Sequence, residues 1–199
     1  MAVKKKNGMV KLLFILIIIT CIVIIAAVSW KSGSDAIYGD FENTKKSAAE
    51  VLYSDVSGAD LEKDYPKTPD EVIQFYGKCY KLIYGDMIRN DDIFANVLHI
   101  QRRLYSKELA EKNLFEVQLE QIKSDVEALK DSNVVVIDFE AKPPIYSKDF
   151  KTCEVRTIIS TNANDENGTL KAYWVYNIVK DEKDLWKIHS FRRTDSDFN

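Results

Sequence analysis

The sequence predicts an α+β protein on a membrane anchor: an N-terminal transmembrane helix, then about three helices packed on a curved four-stranded antiparallel sheet. Three observations predict it. Leu12 to Trp30, LLFILIIITCIVIIAAVSW, carries no charge. From Thr68 to Leu129 apolar residues recur at helical spacing. From Asn133 onward they alternate, in segments separated by polar turns.

The apolar run would span roughly 26–28 Å as a helix, about the thickness of a hydrocarbon core. Lys4, Lys5, Lys6 and Lys11 precede or abut it, and no acid occurs before Trp30. Excess lysine marks the cytoplasmic side, so residues 1–11 are expected inside, 12–30 in the lipid bilayer of the cell membrane, and the rest outside. A cleaved signal peptide would use Ala27-Val28-Ser29, but its apolar region is normally shorter. A lipoprotein signal at Cys21 would need a small residue before the cysteine and a polar turn after it; Thr20 and the following apolar residues supply neither. A buried core helix fits poorly with hydrophobicity on every side.

After Trp30 the charges are 24 basic (28 less the four lysines) against 31 acidic, a net of −7. An acidic domain argues against a nucleic-acid partner, because such binding rests on neutralising phosphates. The pairs Arg102-Arg103 and Arg192-Arg193 are local exceptions. Cys79 and Cys153 would lie outside the membrane, where one disulfide is chemically allowed, but Cys79 on the apolar side of a helix and Cys153 within a strand pattern suit buried thiols better.

Residues 31–66 read as a stalk: SGSD, then scattered apolar residues without a sustained period. The domain is expected over 67–195. Thr68-Pro69-Asp70-Glu71 combines a threonine cap, proline at the first helical position and glutamate three residues on. Val72, Phe75, Tyr76, Cys79, Leu82 and Ile83 follow at helical spacing, and Gly85 supplies a stop. A second helix starts near Asp91, with Phe94, Val97, Leu98, Gln101, Leu104 and Tyr105 on one side. A third is expected with Asn113 as cap and a seam of Phe115, Leu119, Ile122, Val126 and Leu129, predicted to lie on a sheet.

Four strands follow: Val134 to Glu140, Phe150 to Thr161, Thr169 to Val179 and Leu185 to Arg193. Lys142-Pro143-Pro144 ends the first, and Asn162 to Gly168 is read as a loop with a tight turn at Asn167-Gly168. In the third strand Leu170, Ala172, Trp174, Tyr176 and Ile178 oppose Lys171, Tyr173, Val175 and Asn177.

Helices first and a strand meander ending in Asp184-Leu185-Trp186-Lys187-Ile188 resemble the cone-shaped fold of nuclear transport factor 2, also called cystatin-like. Asp60 to Val72 (DLEKDYPKTPDEV), Gln101 to Tyr105 (QRRLY) and the Trp186 strand resemble a membrane-anchored domain-of-unknown-function family of anaerobic Gram-positive bacteria, over roughly residues 10–195. The resemblance implies a compartment and a fold and brings no active site. It also implies a specific alternative role, since VirB8-like assembly factors of conjugation machines use an anchored domain of this kind.

A cone fold can hold a pocket between helices and sheet. Tyr76, Tyr80, Asp138, Glu154, Arg156, Tyr173, Tyr176 and His189 are candidates to face it, as carboxylate, imidazole or phenol for an isomerase or dehydratase. No defining spacing joins them, so no catalytic residue is assigned and the protein is expected not to be an enzyme. Glu154 and Arg156, two apart, share a strand face and suit cross-strand ion pairs. Two histidines without a cysteine or carboxylate cluster argue against a metal, the Asn162 to Gly168 run lacks calcium-loop spacing, and no cofactor motif occurs. Tyr173, Trp174 and Tyr176 put aromatic area on both strand faces, more than a sheet with one wet face needs. The expected function is binding or scaffolding in the cell envelope, through the sheet, to a protein partner or a second copy.

Overall fold

The computed structural model describes residues 38–88, 91–165 and 168–195. The predicted cytoplasmic segment and span lie outside these residues. Among the described residues no helix is long and apolar enough to cross a membrane. The elements are α1 Tyr38–Ser57, α2 Pro69–Tyr84, α3 Asp91–Arg102, α4 Lys107–Lys112, α5 Phe115–Asp131, then β1 Val136–Ala141, β2 Ile145–Tyr146, β3 Thr152–Asp165, β4 Gly168–Lys180 and β5 Trp186–Thr194. The strands form one antiparallel sheet in the order β1-β3-β4-β5, with β2 also paired to β3.

α2 is the organising helix. The Thr68 hydroxyl accepts from the Glu71 N–H at 3.4 Å, while the Glu71 carboxylate accepts from the Thr68 and Lys67 N–H groups at 3.3 and 2.7 Å. This reciprocal cap satisfies donors that the first helical turn leaves open. One side of α2 gives Val72, Ile73 and Tyr76 to a cluster with Leu104, Val155, Tyr176, Ile178, Trp186 and Ile188. Its continuation gives Cys79, Leu82 and Ile83 to a second cluster with Val56, Val97, Leu98, Ile122 and Val126.

That division corrects three expectations. The α5 seam packs against α2 and α3, because α2 already occupies the sheet. Asn113 does not cap α5: its side-chain amide donates to the Leu109 carbonyl at 2.8 Å and closes α4, a helix the periodicity did not announce. Leu104 to Ser106 leave the α3 pattern and run beside β5, where the Ile188 N–H donates to Leu104 O and the Ser106 N–H to Ile188 O, both at 2.8 Å.

The sheet has five strands rather than four. Pro143 and Pro144 end β1, as expected, but Ile145 and Tyr146 pair again with Glu154 and Cys153. β3 continues through the expected loop to Asp165, which pairs with Gly168. Upstream, the segment read as a stalk contains the 20-residue α1, whose Val56 is fully buried. Leu61 and Tyr65 join the core, and the Tyr65 hydroxyl donates to the Trp186 carbonyl at 2.8 Å.

Thr157 is fully buried on the helix side of β3, and among the described residues its hydroxyl has no hydrogen-bond partner. Thr157→Val keeps the shape and removes the desolvated hydroxyl. Stability is expected to rise by about 1 kcal/mol in urea unfolding; a loss of stability would show that the hydroxyl is partnered in solution.

Candidate functional site

Strand alternation sorts the candidate residues onto two faces. Cross-strand neighbours Val155 and Tyr176, Thr157 and Trp174, and Cys153 and Ile178 face the helices. Glu154 with Asn177, Arg156 with Val175 and Ile158 with Tyr173 form the outer face.

On the helix side, the space between α2 and the sheet is occupied by aromatic rings. Tyr76 lies 5.3 Å from Tyr176, 6.1 Å from Phe139, 6.2 Å from Tyr80 and 6.4 Å from Tyr105, between ring centroids. Gln118 reaches in from α5 and donates to the Tyr105 hydroxyl at 3.1 Å. Burial raises the phenol pKa of Tyr65, Tyr76, Tyr105 and Tyr176. A cavity at the edge of this layer, lined by Tyr84, Asp86, Val126 and Val134 among others, measures about 10 Å³, room for about one water. Cys79 and Cys153 are both free and buried, and burial pushes each thiol up to about 12. Thiols held protonated are poor nucleophiles.

The predicted acids and bases lie away from this layer. Asp138 is exposed on β1, 3.9 Å from Lys81. His189 occupies a register shift in β5, where its Nδ1 lies 3.0 Å from the Glu108 carboxylate and 3.4 Å from the Ser106 hydroxyl. Both partners approach the same ring nitrogen, and the Ser106 oxygen also accepts from the Leu109 N–H at 3.2 Å as the α4 cap. A nucleophile, base and orienting acid need the two ring nitrogens divided between the hydroxyl and the carboxylate. This trio therefore joins α4 to β5 without forming such a relay.

The outer face carries a cross-strand row, Arg156–Val175–Arg192. Val175 is 3 % exposed although it faces outward, as expected where arginine stems flank an apolar side chain. Glu154 stands 3.5 Å from Arg156 and 3.8 Å from Arg192. Asn177 donates to the Ser190 hydroxyl at 3.0 Å in the adjacent row. The structure therefore brings Glu154, Arg156 and Tyr173 to the outer face and sends Tyr76, Tyr80, Trp174 and Tyr176 inward. Arg192 completes the outer row but was not among the sequence candidates. Its face depends on the shift between Asn177 and Ile178, opposite Ser190 and Ile188, which no residue pattern announces.

Compared with known proteins, the family described as a domain of unknown function, DUF6715, matches residues 1–191. No curated protein matches the chain. Among solved structures, the crystal structure of the intermembrane space region of the chloroplast protein ARC6 is similar at 12% identity, over 66% of this chain and 97% of that chain. The TM-score is 0.36, too low to carry an argument about fold or function.

Proposed function

The chain belongs to the DUF6715 family, and from that premise we propose that it is a membrane-anchored binding or scaffolding module. Residues 12–30 would span the bilayer, with residues 1–11 cytoplasmic. A helix-backed sheet domain of the nuclear transport factor 2 kind would stand outside the cell membrane and meet a protein partner through the outer face of its sheet. One observation carries this reading. The layer where a substrate would have to sit is filled by Tyr76, Tyr80, Tyr105, Phe139 and Tyr176, while Asp138, Glu154 and His189 stand outside it beside charged or polar partners. Acid–base catalysts draw their shifted pKa from enclosure and specific neighbours. A broad sheet face suits a macromolecular partner better.

Two measurements test the reading. Protease added to intact cells stripped of their wall is expected to remove the domain and spare the N-terminus; a protected domain would reverse the orientation. A photo-cross-linking amino acid at Lys171 or Arg192 of the full chain, in its own cells, is expected to give a discrete adduct of higher mass. The same group at Val51, exposed on α1, should give none. Adducts from neither sheet position would overturn the module reading.

A further inference from the structure

The outer edge of β5 narrows the kind of partner. Strand β5 has β4 on one side. On its other side Ile188 exchanges backbone hydrogen bonds with Leu104 and Ser106. Among the described residues, that backbone pairing does not continue to Ser190, Phe191 or Arg192. An antiparallel edge presents every second residue's N–H and C=O away from its neighbour strand, so this stretch offers a short pairing surface. Phe191 is 38% exposed and packs on Trp174 at 6.1 Å and Tyr176 at 5.8 Å. Beside it the Arg192 side chain is 60% exposed, and its carboxylate neighbour Glu154 stands nearer to Arg156. Arg193, opposite Trp174, adds a second cation on the helix-side face. These arginines belong to a domain whose net charge is −7, from 24 basic and 31 acidic residues after Trp30.

We propose that the Ser190–Arg193 edge of β5 accepts an extended acidic segment of a partner protein as an added strand. This rests on the module reading and specifies its partner. Three consecutive positions of the added strand would oppose Phe191, Arg192 and Arg193, so the chemistry that fits is one apolar and two acidic residues in a row. Strand addition draws affinity from main-chain hydrogen bonds and specificity from alternating side chains. A second copy fits less well. Antiparallel β5 edges paired about a twofold near Arg192 would set arginine against arginine, and like charges directly opposite are destabilising.

The test uses the full chain in detergent micelles and capped, fluorescently labelled peptides of about eight residues containing Glu-Glu-Val. Fluorescence anisotropy is expected to show binding that weakens about tenfold or more in Arg192→Glu/Arg193→Glu. A Lys-Lys-Val peptide should then recover affinity for that variant. A Glu-Glu-Val peptide N-methylated at alternate residues keeps its charge but loses backbone donors, and it is expected not to bind. Unchanged thermal melting of the double variant shows that the fold is intact. No binding to the native chain, equal binding to the double variant, or equal binding by the methylated peptide would each overturn the proposal. If adducts still form at Lys171 or Arg192 in cells, the module reading survives and only the strand-addition mode falls.

Discussion

Above pH 10 the domain is expected to lose stability steeply and unfold in one transition with the appearance of tyrosinate absorbance. Tyr65, Tyr76, Tyr105 and Tyr176 are buried, and burial holds their phenols above the ordinary value of 10.0. Below that value both folded and unfolded chains keep these protons, so the phenols add no pH dependence. Above it the unfolded chain releases protons that the fold retains. Each phenol then favours unfolding by about 1.4 kcal/mol per pH unit until its folded pKa is reached. The four together give roughly 5–6 kcal/mol per unit, against a total stability of about 5–15 kcal/mol for a domain. Tyr80 and Tyr84 are shifted in the same direction but only partly buried, and they are left out of that sum. The measurement is an alkaline titration read by circular dichroism and ultraviolet absorbance on the same samples. Tyr76→Phe should lower the slope by about one proton. Stepwise tyrosine ionisation with the helical signal intact would refute the packed aromatic layer.

Gly77→Ala is expected to destabilise the fold by about 1–3 kcal/mol despite adding a better helix former. Gly77 lies within α2, where alanine would ordinarily gain about 1 kcal/mol. A Cβ built there falls 2.4 Å from the Phe139 Cδ1 and 2.9 Å from its Cε1. That ring cannot simply swing aside, since Tyr76, Tyr80 and Tyr176 lie around it at 6.1, 5.7 and 6.4 Å between centroids. The glycine is therefore what lets α2 lie close to β1. Phe139→Leu alone should cost stability by losing aromatic contact. In Gly77→Ala/Phe139→Leu the smaller side chain makes room, so the double variant should be more stable than the sum of single losses predicts. Strict additivity in urea unfolding would mean that the two positions are not in contact.

Local chemistry made much of the helix-to-strand layout legible. The Thr68-Pro69-Asp70-Glu71 cap fixes where α2 begins, because its partners lie within four residues. Strand alternation placed Trp174, Tyr176 and Ile178 on one face and Tyr173 and Val175 on the other, because a strand's side-chain period is two. The same reasoning could not separate a charged stalk from α1, since residues 31–66 show no sustained apolar period. Nor could it tell Asn113 as a cap for α5 from Asn113 as the closing residue of α4, because both uses suit the same amide. Aromatic area is expected on both strand faces; Tyr173 stands on the outer face and Trp174 and Tyr176 turn inward, while the Arg156–Val175–Arg192 row follows from cross-strand register and the β5 shift, which the sequence does not announce.

By itself, then, the sequence determined the uncharged run at 12–30, the excess of acid beyond it, the start of α2 and the order of helices before strands. Each of these depends on composition or on residues near in the chain. Only the tertiary structure decided that α2 excludes α5 from the sheet, that the space beneath α2 is filled with tyrosine rings, and that Glu154 shares its charge between arginines of two strands. Those outcomes depend on which distant surfaces compete for the same space, and that competition is settled only when the chain packs.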